Sequence, residues 1–184
     1  MVYEYKSNVI IMLCNIKEGG SVKCQNYWEA RPDKFHIIIQ KIEKFDMFVI
    51  RTIQLINVPN REARIVYQIH FTGWPDHGVP DTSGGKVFQI FCVINNLVDR
   101  LNTEQKPIIV HCSAGVGRTG TYVSMYLLEK EIMKQIELKR EIIRINVFNL
   151  VRKIKEMRIY MVQTPLQYKF VYLFVRYLLE THNN

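Results

Sequence analysis

The stretch IIVHCSAGVGRTGTY, residues 108–122, constrains the fold more than any other part of the chain. IIVH reads as a short buried strand, the small residues after it as a tight turn, and from about Thr119 the pattern becomes helical. A strand that turns on glycines into a helix N-terminus belongs to a domain of mixed α and β structure. The turn carries two superposed patterns. Gly115, Gly117 and Gly120 spell G-x-G-x-x-G, the fingerprint of a dinucleotide-binding turn. Cys112 and Arg118 bracket the same residues as C-x-x-x-x-x-R, a spacing suited to attack on a phosphate.

The rest of the chain must supply a sheet and its packing helices. NVIIMLC, KFHIIIQ, MFVIRTIQL and ARIVYQIHF are short, rich in Ile, Val, Phe and Tyr, and read as strands. KEGGS and NVPNRE read as hairpin connections, and GWPDHGVPDTSGG as a loop. Beyond that loop the period changes: Val87, Ile90, Phe91, Ile94, Leu97, Val98 and Leu101 recur at helical spacing. Val147, Leu150, Val151, Ile154 and Met157 define a further helix. A last one starts at Thr164, where T-P-L-Q supplies a cap, a proline at the first helical position and a glutamine three residues on. The expected fold is α/β (α+β): a mixed, largely antiparallel twisted sheet early in the chain, flanked by helices later. The 184 residues suit a single domain with a substantial core.

Charge and cysteines narrow the function classes. A formal charge of +8 attracts anionic partners without choosing among nucleic acid, phosphoprotein and acidic lipid. The densest basic stretch, VRKIKEMR, interleaves its charges with apolar residues at helical spacing, so no nucleic-acid partner is expected. Cys14, Cys24, Cys92 and Cys112 show neither C-x-x-C spacing nor nearby histidines, so no metal is expected. The apolar run at residues 9–13 is too short for a signal core or a membrane span. These features predict a cytoplasmic protein with reduced cysteines. They leave the oligomeric state open.

The two readings of the turn differ in how many residues they use. Both bring oriented N–H groups and a helix dipole to an anion. A dinucleotide turn also wants an acidic residue about 20 positions on, and Glu141 stands there by count. Such a turn normally opens a βαβ unit, however, whereas this one follows a β-rich half, and it gives a cysteine nothing to do. In the catalytic reading Cys112 is a nucleophile, since a helix N-terminus favours the thiolate. Arg118 takes two phosphate oxygens with its planar fork. Ser113, Ala114, Gly115, Val116 and Gly117 offer successive N–H groups to a dianion, and Thr119 places a hydroxyl near the sulfur. An oxygen leaving group needs a proton as well. WPDHGVP provides Asp76, on a loop punctuated by Pro75, Gly78 and Pro80 and anchored by Trp74.

Together WPDHGVP, VHCSAGVGRTGT and QTPLQY resemble, in chain order, the signature loops of the cysteine-dependent protein tyrosine phosphatases. KEGGSVKCQNYW and MVYE resemble two further segments of that family, so the likeness runs from Met1 to about Leu178. The resemblance implies that residues 1–184 form the family's catalytic domain without its usual N-terminal portion, including the K-N-R-Y loop whose tyrosine lines the phosphotyrosine pocket. It implies hydrolysis of phosphotyrosine in proteins or peptides, with no cofactor. Cys112 would form a phosphocysteine, Arg118 would bind the phosphoryl oxygens, and His111 would help hold the thiol ionised. Asp76 would protonate the tyrosyl oxygen and then act as base on water. Gln163 would position that water with help from Gln167, and Thr119 would help the sulfur leave. Glu18 would brace Arg118, Lys23 would meet the Asp76 loop, and Tyr27 would support His111. Gln167 equally fits a capping box, Glu18 a hairpin turn and Tyr27 a core aromatic. Lys155 stands where the family more often has arginine, and Tyr160 where some members have glycine, which would narrow access to the pocket. A protein that binds phosphotyrosine without turning it over is the alternative.

Overall fold

The computed structural model describes residues 1–30 and 32–182. Val9–Met12 (β1) is an uninterrupted apolar run because both of its faces are covered, and all four residues are buried. Lys17–Glu18 (β2) and Ser21–Val22 (β3) form a small hairpin, closed by Gly19 and Gly20 at φ 51° and 79°, where glycine carries no steric penalty. Three ten-residue strands follow, Phe35–Lys44 (β4), Phe48–Asn57 (β5) and Glu62–Phe71 (β6), paired as an antiparallel meander. Later in the chain comes Ile109–His111 (β7).

The main sheet has five strands in the order β4-β5-β6-β1-β7, and β1 runs parallel to both of its neighbours. A central parallel strand reads as a solid apolar run, whereas the edge strand β4 alternates and is largely exposed. A bulge between Ile39 and Lys41 breaks the β4 ladder, a common device at a sheet edge.

The helices are Lys86–Leu101 (α1), Gly117–Glu137 (α2), Val147–Met157 (α3) and Pro165–His182 (α4). A single 3₁₀ turn at Ser83–Gly85 leads into α1, inside the stretch expected to be loop. Asp81 accepts there from the Ser83 backbone N–H and hydroxyl, at 3.0 and 2.8 Å. α2 begins two residues earlier than the periodicity suggests, so Gly117 and Arg118 lie in its first turn. Asn146 caps α3 by accepting from Asn149 N at 2.9 Å. That helix buries Val147, Val151 and Ile154, while Met157 at its end points to solvent.

The chain divides into two units, Met1–Asp76 with Ile90–Ser113, and His77–Gln89 with Ala114–Asn184. The first holds the sheet. Phe71, Trp74 and Phe91 form an aromatic cluster there, with centroids 4.7–6.3 Å apart. In the same unit a groove of about 520 Å³ is lined by Tyr3, Trp28, Phe35, Ile53, Leu55 and Val66, among others. In the second unit Phe88 packs on Phe170, Phe174 and Tyr177. Gly120 of α2 lies so close to the backbone at Met161 and Val162 that a Cβ would overlap Val162 N. No helix of the described residues is long and apolar enough to cross a membrane.

Candidate active site

In the first unit the sheet delivers Cys112. β7 pairs in parallel with β1, Met12 opposite His111, and Leu13 N donates to His111 O at 2.9 Å, which extends the pairing by one step. Cys112 follows directly and is 9% exposed. Beside it, Tyr27 Oη lies 2.8 Å from His111 Nε2, and His111 Nδ1 lies 3.2 Å from Cys112 O. Burial pushes His111 below its ordinary pKa, opposed in part by that bond to the Cys112 carbonyl.

Asp76 stands on the loop after β6, two residues beyond the buried Trp74. Lys23, next to β3, places Nζ 3.2 Å from Asp76 Oδ1, with both side chains about a quarter exposed. The Asp76 carboxylate also rests against Gly19 of the β2–β3 turn, in space that a Cβ would occupy. One short hairpin thus supplies both the cation and the gap. Glu18 of the same hairpin is buried and accepts from Asn15 N at 2.8 Å.

In the second unit the segment from Ala114 runs into α2. Gly115 has φ 72°, a left-handed conformation that favours glycine. Val116 is the N-cap of α2, and a valine has no side-chain acceptor, so the first-turn N–H groups receive no cap from that position. Gly117, Arg118 and Thr119 make up that turn, and Thr119 is buried. Both predicted glutamines reach it: a Cβ on Gly117 would lie 2.9 Å from Gln167 Nε2 and 3.2 Å from Gln163 Oε1.

Gln167 also closes a capping box. Its Oε1 accepts from Thr164 N at 3.2 Å and from Gln163 N at 2.9 Å, while Thr164 Oγ1 accepts from Gln167 N at 3.2 Å. The capping use weighed in the sequence is therefore what these bonds show. Tyr160, at the position expected to narrow access, is 66% exposed and has φ 66°, a backbone region where glycine would be unstrained.

Nothing in the sequence singles out Arg158, and Lys155 is marked only as standing where the family more often has arginine. Arg158 donates from Nη2 to Ala114 O at 3.3 Å and covers Gly115. Lys155 donates from Nζ to Val162 O at 3.1 Å, tying α3 to the segment before Gln163. A basic residue near a helix end gives no sign in sequence of the carbonyl it will meet. Among the described residues, no group of His, Cys, Asp and Glu could hold a metal ion.

A family model described as "Protein-tyrosine phosphatase" matches residues 1–177. The chain is 33% identical over 186 residues to Tyrosine-protein phosphatase 2 of Dictyostelium discoideum, covering 98% of this chain and 48% of that one. It is 34% identical over 176 residues to the mouse Tyrosine-protein phosphatase non-receptor type 4, covering 93% of this chain and 18% of the relative. The crystal structure of the catalytic domain of human Protein Tyrosine Phosphatase non-receptor Type 18 superposes with a TM-score of 0.82 at 28% identity, over 96% of this chain and 62% of that one. The chain therefore spans at most about half the length of these curated relatives.

Proposed function

Because the chain belongs to the protein-tyrosine phosphatase family, we propose that it hydrolyses phosphotyrosine in proteins through a phosphocysteine intermediate. One observation carries the reading. Cys112 stands at the C-terminal end of a parallel strand, and the residues after it lead straight to a helix whose N-cap has no side-chain acceptor. Backbone N–H groups and a helix dipole at such a place favour a dianion.

In the proposed reaction the Cys112 sulfur attacks phosphorus, and the bond to the tyrosyl oxygen breaks as Asp76 donates its proton to that oxygen. Ser113, Ala114, Gly115, Val116 and Gly117 hold the phosphoryl oxygens with N–H groups, and Arg118 with its two-pronged donor. In the second half Asp76, now a carboxylate, takes a proton from water. Gln163 and Gln167 position that water while it displaces the sulfur, and Thr119 donates to the departing sulfur. Lys23 keeps Asp76 on its loop, Tyr27 supports His111, and Glu18 and Trp74 brace the surroundings. None of these steps uses a metal or an organic cofactor. A nucleophilic thiol needs a reducing compartment, so the proposed setting is the cytoplasm.

Turnover of an aryl phosphate, with vanadate, with EDTA and in Cys112→Ser, tests the reading. We expect inhibition by vanadate, none by EDTA, and abolished turnover with phosphate binding retained in Cys112→Ser. Activity near wild type in that variant, or loss with EDTA, would exclude the cysteine mechanism. Tight phosphotyrosine binding by the wild type without turnover would identify a binding protein.

A further inference from the structure

An arginine side chain has five N–H donors and no acceptor, so a hydrogen-bond chain that starts on one runs in a single direction. Arg51 on β5 starts two. Its guanidinium lies over the Trp28 ring, 4.3 Å from the centroid. From there Nη1 donates to Gln68 Oε1 at 2.7 Å and lies 3.4 Å from His70 Nδ1. Gln68 is fully buried and stands opposite Arg51 in the β5–β6 register. With its oxygen occupied by the arginine, Gln68 turns its amide nitrogen the other way. Nε2 then donates to Tyr27 Oη at 2.6 Å and reaches Met12 Sδ at 3.7 Å.

A phenol has one proton to give. Accepting from Gln68, Tyr27 donates to His111 Nε2, 2.8 Å away. A neutral imidazole that accepts on Nε2 carries its hydrogen on Nδ1, and that nitrogen faces Cys112 O at 3.2 Å. The second branch obeys the same logic. His70 accepts on Nδ1, so its Nε2–H donates to Cys14 O at 2.9 Å. Both rings are held neutral chiefly by burial, His70 down to about 4 with the Arg51 charge adding to the effect.

We infer that Arg51 and Gln68 are positioning residues for Cys112: they fix the direction of the chain Arg51 to Gln68 to Tyr27 to His111, and so the Nδ1–H tautomer that holds the Cys112 carbonyl. The inference rests on the phosphatase reading in taking Cys112 as the nucleophile. Polarity, not shape, is what the chain requires. Gln68→Glu has nearly the same volume but offers two acceptors. Arg51 then donates to one oxygen and Tyr27 to the other, and the tyrosine proton leaves His111. The histidine keeps its bond to Tyr27 only by moving hydrogen to Nε2, which sets a bare Nδ1 against a carbonyl oxygen.

The test is nitrogen-15 NMR of the His111 ring in the full chain, with kinetics on an aryl phosphate. The wild type should show hydrogen on Nδ1 and none on Nε2. Gln68→Glu should place hydrogen on Nε2 and lower kcat roughly 10–100-fold, the scale of a slightly misplaced reacting group, with KM little changed. Arg51→Lys, still a pure donor, should keep the wild-type tautomer and most of kcat, whereas Arg51→Met should behave like Gln68→Glu. Hydrogen on Nε2 of wild-type His111 would overturn the inference even if the variants fail to fold. So would Gln68→Glu with an unchanged ring and unchanged kcat. A wild type with the expected tautomer but no turnover would overturn the phosphatase reading alone.

Discussion

Two neighbours of different kind hold the Asp76 side chain: an ammonium at 3.2 Å and a glycine that leaves room for the carboxylate. A partly exposed ion pair of this sort is worth about 1 kcal/mol or less, enough to bias a loop but not to lock it. In the proposed role of general acid, Asp76 would matter most when the leaving oxygen is basic. Asp76→Ala should therefore lower kcat for an alkyl-substituted phenyl phosphate by ~10²–10⁴, and by much less for a nitrophenyl phosphate. Steady-state rates across a series of leaving groups check this, and an equal loss throughout would mark the residue as structural. Candidates of this kind were legible in the sequence because the chemistry proposed for them depends on local spacing: Cys112, Arg118 and Asp76 stand out within a few positions. Arg51 and Gln68 do not, and Tyr27 comes only from the family resemblance. They meet only because β5, β6 and the segment after the hairpin converge, and nothing in QIHF or VIRT marks a buried polar chain.

α4 begins with a residue that serves two ends at once. Gln167 Oε1 caps the helix, while Nε2 of the same amide points to the first turn of α2. The two uses separate by substitution. Gln167→Glu keeps an acceptor for the cap and loses the amide donor, so its urea midpoint should stay close to wild type while turnover falls. Gln167→Ala loses both and should also cost about 0.5–2 kcal/mol of stability, the usual worth of a cap. Full turnover in Gln167→Glu would reduce this residue to a cap. The start of α4 was readable because proline and threonine carry local rules. The start of α2 was harder, since its buried residues include Gly117, Thr119, Gly120, Thr121 and Ser124, which lack an apolar stripe. Hydroxyls there bond back to carbonyls one turn earlier, Thr121 to Gly117 at 2.9 Å and Ser124 to Gly120 at 2.7 Å. Strand order was not readable, because an apolar run such as VIIM fits any buried strand, parallel or antiparallel.

The molecule as a whole carries +8, with 25 basic side chains against 17 acidic ones. A field of that sign draws phosphate dianions towards the protein, and salt weakens it over a Debye length of about 8 Å at physiological ionic strength. Accordingly kcat/KM for an aryl phosphate should fall several-fold from low salt to about 0.15 M, with kcat nearly constant. Stopped-flow or initial-rate measurements at fixed pH decide this, and a flat profile would mean that the excess charge lies away from the substrate's approach. The net charge follows from composition alone, but its distribution depends on topology. Topology also assigns β1 a task that its plain apolar composition hides. Met12 is paired on one side with His70 and on the other with His111. Both histidines are thus counted off from a single residue, as two scales are read against one index mark. Lengthening β1 by one residue ahead of Met12 would displace that mark by about 3.3 Å and invert the face it presents. The depth at which Cys112 emerges is therefore set by the number of residues in a strand that has no reactive side chain of its own.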